Sequence, residues 1–171
     1  MSRTLIVVDM QNDFIDGALP VPGAREIIPT INDLIREVEN VIFTCDWHPE
    51  DHMSFIENGG QWPSHCVKDS RGAQLVDGLV RPPYCGMVYK GQYPDKEEYS
   101  GYVPALKGLL SDTEKVYIVG LALDYCVKAT ALDAQKAGHK VVVVMDSVRG
   151  VDPETSKKAI EELHRGKVET I

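Results

Sequence analysis

This sequence predicts an α/β fold, with three α/β/α layers built around a mainly parallel sheet. Two observations carry that reading. Continuous apolar runs of five or six residues mark strands buried on both faces, and those runs alternate with stretches that are apolar at helical spacing. Such alternation implies right-handed crossovers, which place helices on both sides of the sheet.

Thr4, Leu5, Ile6, Val7 and Val8 form the first run, closed by Asp9. Ile27, Ile28, Ile31, Leu34, Ile35 and Val38 follow at helical spacing, with Pro29 tolerable in the first turn. Residues 41–45 make a second strand, closed by Asp46, and residues 86–90 a third, ending at Lys90. Val103, Leu106, Leu109 and Leu110 give a short helix. Residues 115–120 are a further strand, followed by a helix from about 125 to 137 that Gly138 stops. Residues 141–145 form a strand ending at Asp146. The last helix opens with Asp152 as N-cap and Pro153 at the first helical position, and residues 168–171 form an edge strand. With no repeat, linker or low-complexity segment, residues 1–171 read as one domain. A long loop at about 46–85 breaks the rhythm. It is rich in Trp, His and Cys, and long loops of that kind in compact domains are commonly functional.

At 43% apolar residues and a net charge of −8, with no Lys/Arg run, the chain is not expected to bind nucleic acid or an anionic membrane surface. The apolar run after Met1, Ser2 and Arg3 is too short to span a bilayer and lacks a small-residue cleavage site. Cys45, Cys66, Cys85 and Cys126 show no C-x-x-C spacing and read as reduced thiols of a cytoplasmic protein. The sequence is compatible with a homo-oligomer without specifying one.

In an open parallel sheet, ligands bind beyond the carboxyl ends of the strands. Asp9, Asp46, Lys90 and Cys126 all fall there. Cys126 is expected in the first turn of its helix, where free N–H groups and the positive dipole end favour thiolate. A nearby Lys90 would lower its pKa further, and Asp9 could take the proton. Together they make an activated nucleophile of the kind used in acyl transfer; taken alone, Cys126 would be a small buried hydrophobe.

Asp46-Trp47-His48-Pro49-Glu50-Asp51-His52 and Trp62-Pro63-Ser64-His65-Cys66 bring together the residue types that hold one divalent ion, zinc first and iron or manganese as alternatives. Asp46 and His48 can face one side of a chain leaving a strand, and His65 arrives from the far end of the loop. His52 is a fourth ligand or a partner of metal-bound water. The two tryptophans would wall a site for a small planar ligand, and Phe14 and Trp62 are candidates to stack on its ring. His139 and His164 read as structural, and the acids Glu97-Glu98 and Glu161-Glu162 as solvated faces.

With these residues in view, the chain resembles the nicotinamidases, a branch of the isochorismatase-like cysteine hydrolases. The resemblance rests on Asp9-Met10-Gln11-Asn12-Asp13-Phe14, on the two histidine-bearing blocks, and on Lys90-Gly91, Tyr99-Ser100-Gly101-Tyr102 and the block from Gly120 to Val127. It implies a six-stranded parallel sheet, a triad of Asp9, Lys90 and Cys126, and an ion on Asp46, His48 and His65, with His52 added in some relatives. It also implies ring contacts from Phe14 and Trp62, with Tyr99 beside them. The oxyanion hole would be the backbone N–H groups of Ala122 and Cys126, next to a cis peptide between Leu121 and Ala122. The activity implied is hydrolysis of nicotinamide through a cysteine thioester, the ion positioning the pyridine ring; the alternative is another small amide. Leu123 departs from the family, which often carries Thr or Glu there.

Overall fold

The computed structural model describes residues 3–171. Met1 and Ser2, the start of the segment considered above for a leader, lie outside the described residues.

Six strands form one all-parallel sheet in the order β3-β2-β1-β4-β5-β6. They are β1 Arg3–Val8, β2 Asn40–Asp46, β3 Gly86–Lys90, β4 Lys115–Leu121, β5 Lys140–Arg149 and β6 Glu169–Thr170. The alternation of side chains along each strand splits the core in two. Leu5, Val7, Phe43 and Val119 face one side, beneath α1 (Asn12–Ile15), α2 (Ile28–Glu37) and the long loop. Ile6, Val8, Ile118 and Val143 face the other, beneath α3 (Pro104–Leu109), α4 (Lys128–Lys136) and α5 (Pro153–Arg165). The expected three layers are present. Among the described residues no helix is long and apolar enough to cross a membrane.

Two elements differ from the sequence expectation. β5 does not stop at Asp146. The register between β4 and β5 shifts between the Ile118 and Gly120 pairs, and the strand resumes through Ser147 and Val148 to Arg149. Asp146 is exposed on that bulge. The helix expected from about residue 125 begins instead as a π-helical turn, Leu123–Val127, that continues into α4.

The long loop has little regular structure of its own, yet it is fastened down. Cys66, Ala73, Leu75 and Val76 are buried in the core on the α2 side, and Phe55 is buried against His48, His52 and His65. Single bridges tie His48 to Val67 and Phe55 to Trp62. Apolar anchors and backbone bonds thus replace secondary structure in holding its shape.

Strand order reverses around β1, whose neighbours are β2 and β4, so the crevice opens at the carboxyl ends of these strands. Gly120 makes that close approach possible. Its φ is +108°, and a Cβ there would stand 2.2 Å from the Val8 carbonyl oxygen. Backbone clash in a central strand cannot be relieved by a rotamer change. Gly120→Ala is expected to remove about 3 kcal/mol or more of unfolding free energy in a urea titration; an unchanged midpoint would refute this role.

Candidate active site

The sheet register delivers the central groups. Asp46, the last residue of β2, is paired in register with Lys90, the last of β3. Asp9 follows β1 with φ +48°, a left-handed conformation that aspartate tolerates. Cys126 sits in the π turn after β4. Lys90 is fully buried, and its Nζ lies 2.9 Å from Asp9 Oδ2, 3.4 Å from Cys126 Sγ, and in hydrogen-bond contact with Asp46 Oδ1. Thr44 donates its hydroxyl to Asp9 Oδ1 at 2.7 Å. Asp9 Oδ2 is close enough to Lys90 for an ion pair, but off the line of a hydrogen bond. Among the described residues it is the buried side-chain oxygen left without a hydrogen-bond partner. Ligand atoms of Asp9, Asp46 and Cys126 all lie within 4.8 Å of one another, so the Asp9 carboxylate stands at short range from the thiol.

Burial dominates the electrostatics here. It raises Asp9 above the ordinary carboxylate value despite Lys90. It also pushes the Cys126 thiol well above its ordinary value, Lys90 opposing. Desolvation thus works against the thiolate that the helix start and Lys90 were expected to favour, which leaves a proton for Asp9 to take. Burial opposes ionisation of Asp46 too, but there Lys90 and His48 prevail and its pKa is lowered. Lys90 is raised well above its usual value: burial acts to lower it, and the charges of Asp46 and Asp9 outweigh that.

The second oxygen of Asp46 turns the other way. Oδ2 lies 3.5 Å from His48 Nε2 and 4.0 Å from His65 Nε2. The remaining ring nitrogens are spoken for: His48 Nδ1 donates to the Gly91 carbonyl at 2.8 Å and His65 Nδ1 to the Pro63 carbonyl at 2.7 Å. Those bonds fix the tautomer that leaves each Nε2 lone pair facing the carboxylate, the arrangement a divalent cation requires. Asp46, His48 and His65 therefore fit an ion. Gly91 is needed at its position, since a Cβ would come within 2.4 Å of the His48 ring.

His52 does not join them. Its Nε2 donates to the Lys96 carbonyl at 3.0 Å, and its Nδ1 accepts from the Ser54 hydroxyl at 2.7 Å, so both nitrogens are used. It packs against His48 with ring centroids 4.1 Å apart and braces that ring.

One cavity, with a free volume of about 480 Å³ counting its open mouth, is lined by Asp9, Cys126, Asp46, His48 and His65 together. Phe14, Trp62 and Tyr99 also line it. Trp47 does not; it stacks on Tyr89 at 4.9 Å, so only one of the two tryptophans serves as a wall. Tyr99 accepts from Trp62 Nε1 at 3.1 Å and from Gln61 Nε2 at 3.2 Å, which holds the indole upright. Ala122 lines the cavity beside the cis Leu121–Ala122 peptide, and Leu123 is buried in the core on the α4 side.

Several residues of the site were not singled out in the sequence. Tyr125 lines the cavity, edge-on to Trp62 at 5.2 Å. Glu97, read above as solvated, lines it too and is half-buried; burial raises its carboxyl. Glu98 is no solvated face either, since it accepts the Gly91 N–H at 2.9 Å and pairs with Lys96 at 2.8 Å. Gln11 clamps the end of β2, accepting the Asp46 N–H at 2.8 Å and donating to the Asp46 carbonyl at 2.7 Å. Asp13 accepts the Cys66 N–H at 2.7 Å, pinning the chain next to His65. His139 and His164 are structural, bonded to Tyr102 and Thr170.

Comparison with known proteins agrees with this geometry. Residues 3–171 match the isochorismatase domain family. The yeast Saccharomyces cerevisiae nicotinamidase is 38% identical, the match covering 94% of this chain and 95% of that protein. The crystal structure of Pyrococcus horikoshii pyrazinamidase in complex with zinc is 43% identical, with a TM-score of 0.94 over 100% of this chain and 99% of that one. A structure of PnC1 from L. infantum in complex with nicotinate is 36% identical, with a TM-score of 0.96 over 99% and 92% of the two chains. The chain belongs to the isochorismatase domain family. Within it, the chain falls in the nicotinamidase and pyrazinamidase branch, whose members are amidohydrolases.

The Gln11 clamp is testable without any substrate. Gln11→Leu strands a buried N–H and a buried carbonyl of Asp46 and is expected to cost about 2–4 kcal/mol in urea unfolding. A loss under about 0.5 kcal/mol would show that Asp46 is held by other means.

Proposed function

We propose that this protein hydrolyses the carboxamide of nicotinamide to nicotinate and ammonia. The observation that carries the proposal is the cavity lined by Asp9 and Cys126 together with Asp46, His48 and His65, with Lys90 buried against Asp9 and Cys126. A planar heteroaromatic amide fits between them, its ring against Phe14 and Trp62 and its carboxamide toward the sulfur.

In this scheme Cys126 rests as a thiol. Asp9, through its unpartnered Oδ2, takes the proton as sulfur attacks the carboxamide carbon. The oxyanion is received by the backbone N–H groups of Ala122 and Cys126, each worth about 3 kcal/mol of barrier. Asp9 returns its proton to the departing ammonia, breaking the C–N bond and leaving a thioester. Water, deprotonated by the same carboxylate, then releases nicotinate and restores the thiol. Lys90 holds Asp9 in place and offsets the negative charge that builds up. Asp46, His48 and His65 would hold a divalent ion, zinc being our assignment, and when bound the ion supplies a Lewis-acidic anchor for the pyridine nitrogen. We place the enzyme in the cytoplasm, where its free cysteines stay reduced.

Cys126→Ala is expected to cut ammonia release from nicotinamide by at least about 10³-fold, and wild-type turnover in that variant would overturn the mechanism. Chelation should lower turnover of nicotinamide much more than that of a benzamide lacking the ring nitrogen; equal losses would deny the ion its role with the ring.

The pH dependence has a definite sign. Burial raises the Asp9 pKa, so on acidification Asp9 takes up its proton sooner than a free aspartate would. The acid limb of kcat/KM should therefore lie above the range in which a free aspartate titrates, with activity rising as Asp9 ionises. Asp9→Asn should lose both the limb and most activity while still binding zinc; an unmoved limb in that variant would reassign the base.

A further inference from the structure

We propose that Asp124 is a positioning residue for the nucleophile, tying the turn that carries Cys126 to the start of α5 and to the cavity wall at Val151. The inference rests on Cys126 being the attacking group, as proposed above. Asp124 is only 4% exposed, and the hydrogen bonds it accepts come from uncharged donors. Oδ1 accepts the Val151 N–H at 3.0 Å. Oδ2 accepts the Val151 N–H at 3.1 Å, the Asp152 N–H at 3.2 Å and the Thr155 hydroxyl at 2.6 Å. A buried carboxylate satisfied on both oxygens is a rigid planar connector, and the first turn of α5 favours its charge.

What it connects is functional at both ends. Asp124 lies two residues before Cys126 in the π turn Leu123–Val127, which folds back so that the Ala122 carbonyl accepts the Tyr125 and Val127 N–H groups. Val151 lines the cavity with Cys126. The two segments are pressed together: a Cβ on Gly150 would stand 1.8 Å from Ser156 Oγ and 3.4 Å from Asp124 Oδ1. α5 already has its own cap, because Asp152 accepts the Glu154 and Thr155 N–H groups. Asp124 is thus not needed to start the helix. It fixes where the helix start sits relative to the sulfur. The ring contacts proposed above are those of Phe14 and Trp62 on other elements, and this turn reaches Trp62 only through the edge of Tyr125, so loosening this tie should disturb sulfur alignment more than substrate binding. Misplacement by 1 Å costs about 10²-fold in rate.

The variant to make first is Thr155→Val, which deletes one donor at nearly constant volume. Asp124→Asn, which turns an amide N–H toward donors, follows, with Thr155→Ser as rescue and Cys126→Ala as control. Activity toward nicotinamide is expressed per folded protein, measured by circular dichroism at the assay temperature. Thr155→Val should lose roughly tenfold in kcat with KM within about twofold, Asp124→Asn roughly a hundredfold in kcat, and Thr155→Ser should recover most of the rate. An unchanged kcat in Thr155→Val, a loss residing in KM, a loss that merely follows the folded fraction, or a serine variant as slow as the valine one would each overturn the proposal. An active Cys126→Ala would instead strike at the assignment of the nucleophile.

Discussion

One buried ammonium governs this active site. Lys90 is sealed from solvent and stands among two carboxylates and a thiol. Two buried carboxylates that close could not both stay ionised without a cation between them, and a buried ion stripped of its partner is strongly destabilising. The remaining features of the sheet's carboxyl rim make sense as means of bringing these groups together. The β2–β3 register sets Lys90 beside Asp46, Gly120 lets β4 press against β1, and the left-handed turn at Asp9 points its carboxylate inward.

Around that core, polar side chains are spent on holding backbone rather than on contacting ligand. Gln11 clamps Asp46, Asp13 pins the chain beside His65, and His52 braces His48. Each satisfies its own hydrogen-bonding capacity while fixing a neighbour, which is how a loop with almost no secondary structure can present ligands with defined tautomers. Asp46 joins the two halves of the cavity, one oxygen on Lys90 and the other on the histidines.

Much of this was legible in the sequence because the dominant signals are short range. Apolar runs closed by an acid or a lysine mark buried strands and their functional ends, and the rule for parallel sheets places Asp9, Asp46, Lys90 and Cys126 on one rim. The long loop was recognisable by composition. What could not be read is what depends on tertiary environment. Burial raises the Cys126 thiol further than the ammonium lowers it, a balance no spacing reveals. His52 looks like a ligand in D-x-H-x-x-x-H, and only the Lys96 carbonyl and Ser54 show otherwise. Glu97 is an acid in polar surroundings by sequence and Asp124 a lone acid in an apolar run, and what each one meets comes from distant segments folding against it. The bulge that carries β5 past Asp146 likewise follows from its pairing with β4.

The burial of Cys126, which acts against its ionisation, bears on how such a site endures between turnovers. Peroxides and electrophiles attack thiolates, and the rate of damage follows the thiolate fraction and access. Burial both opposes ionisation of this sulfur and limits access to it, so it offers less thiolate to those agents than a free cysteine would, even with a carboxylate close by. The same desolvation that works against the anion before a carbonyl arrives thus also works against oxidative ageing.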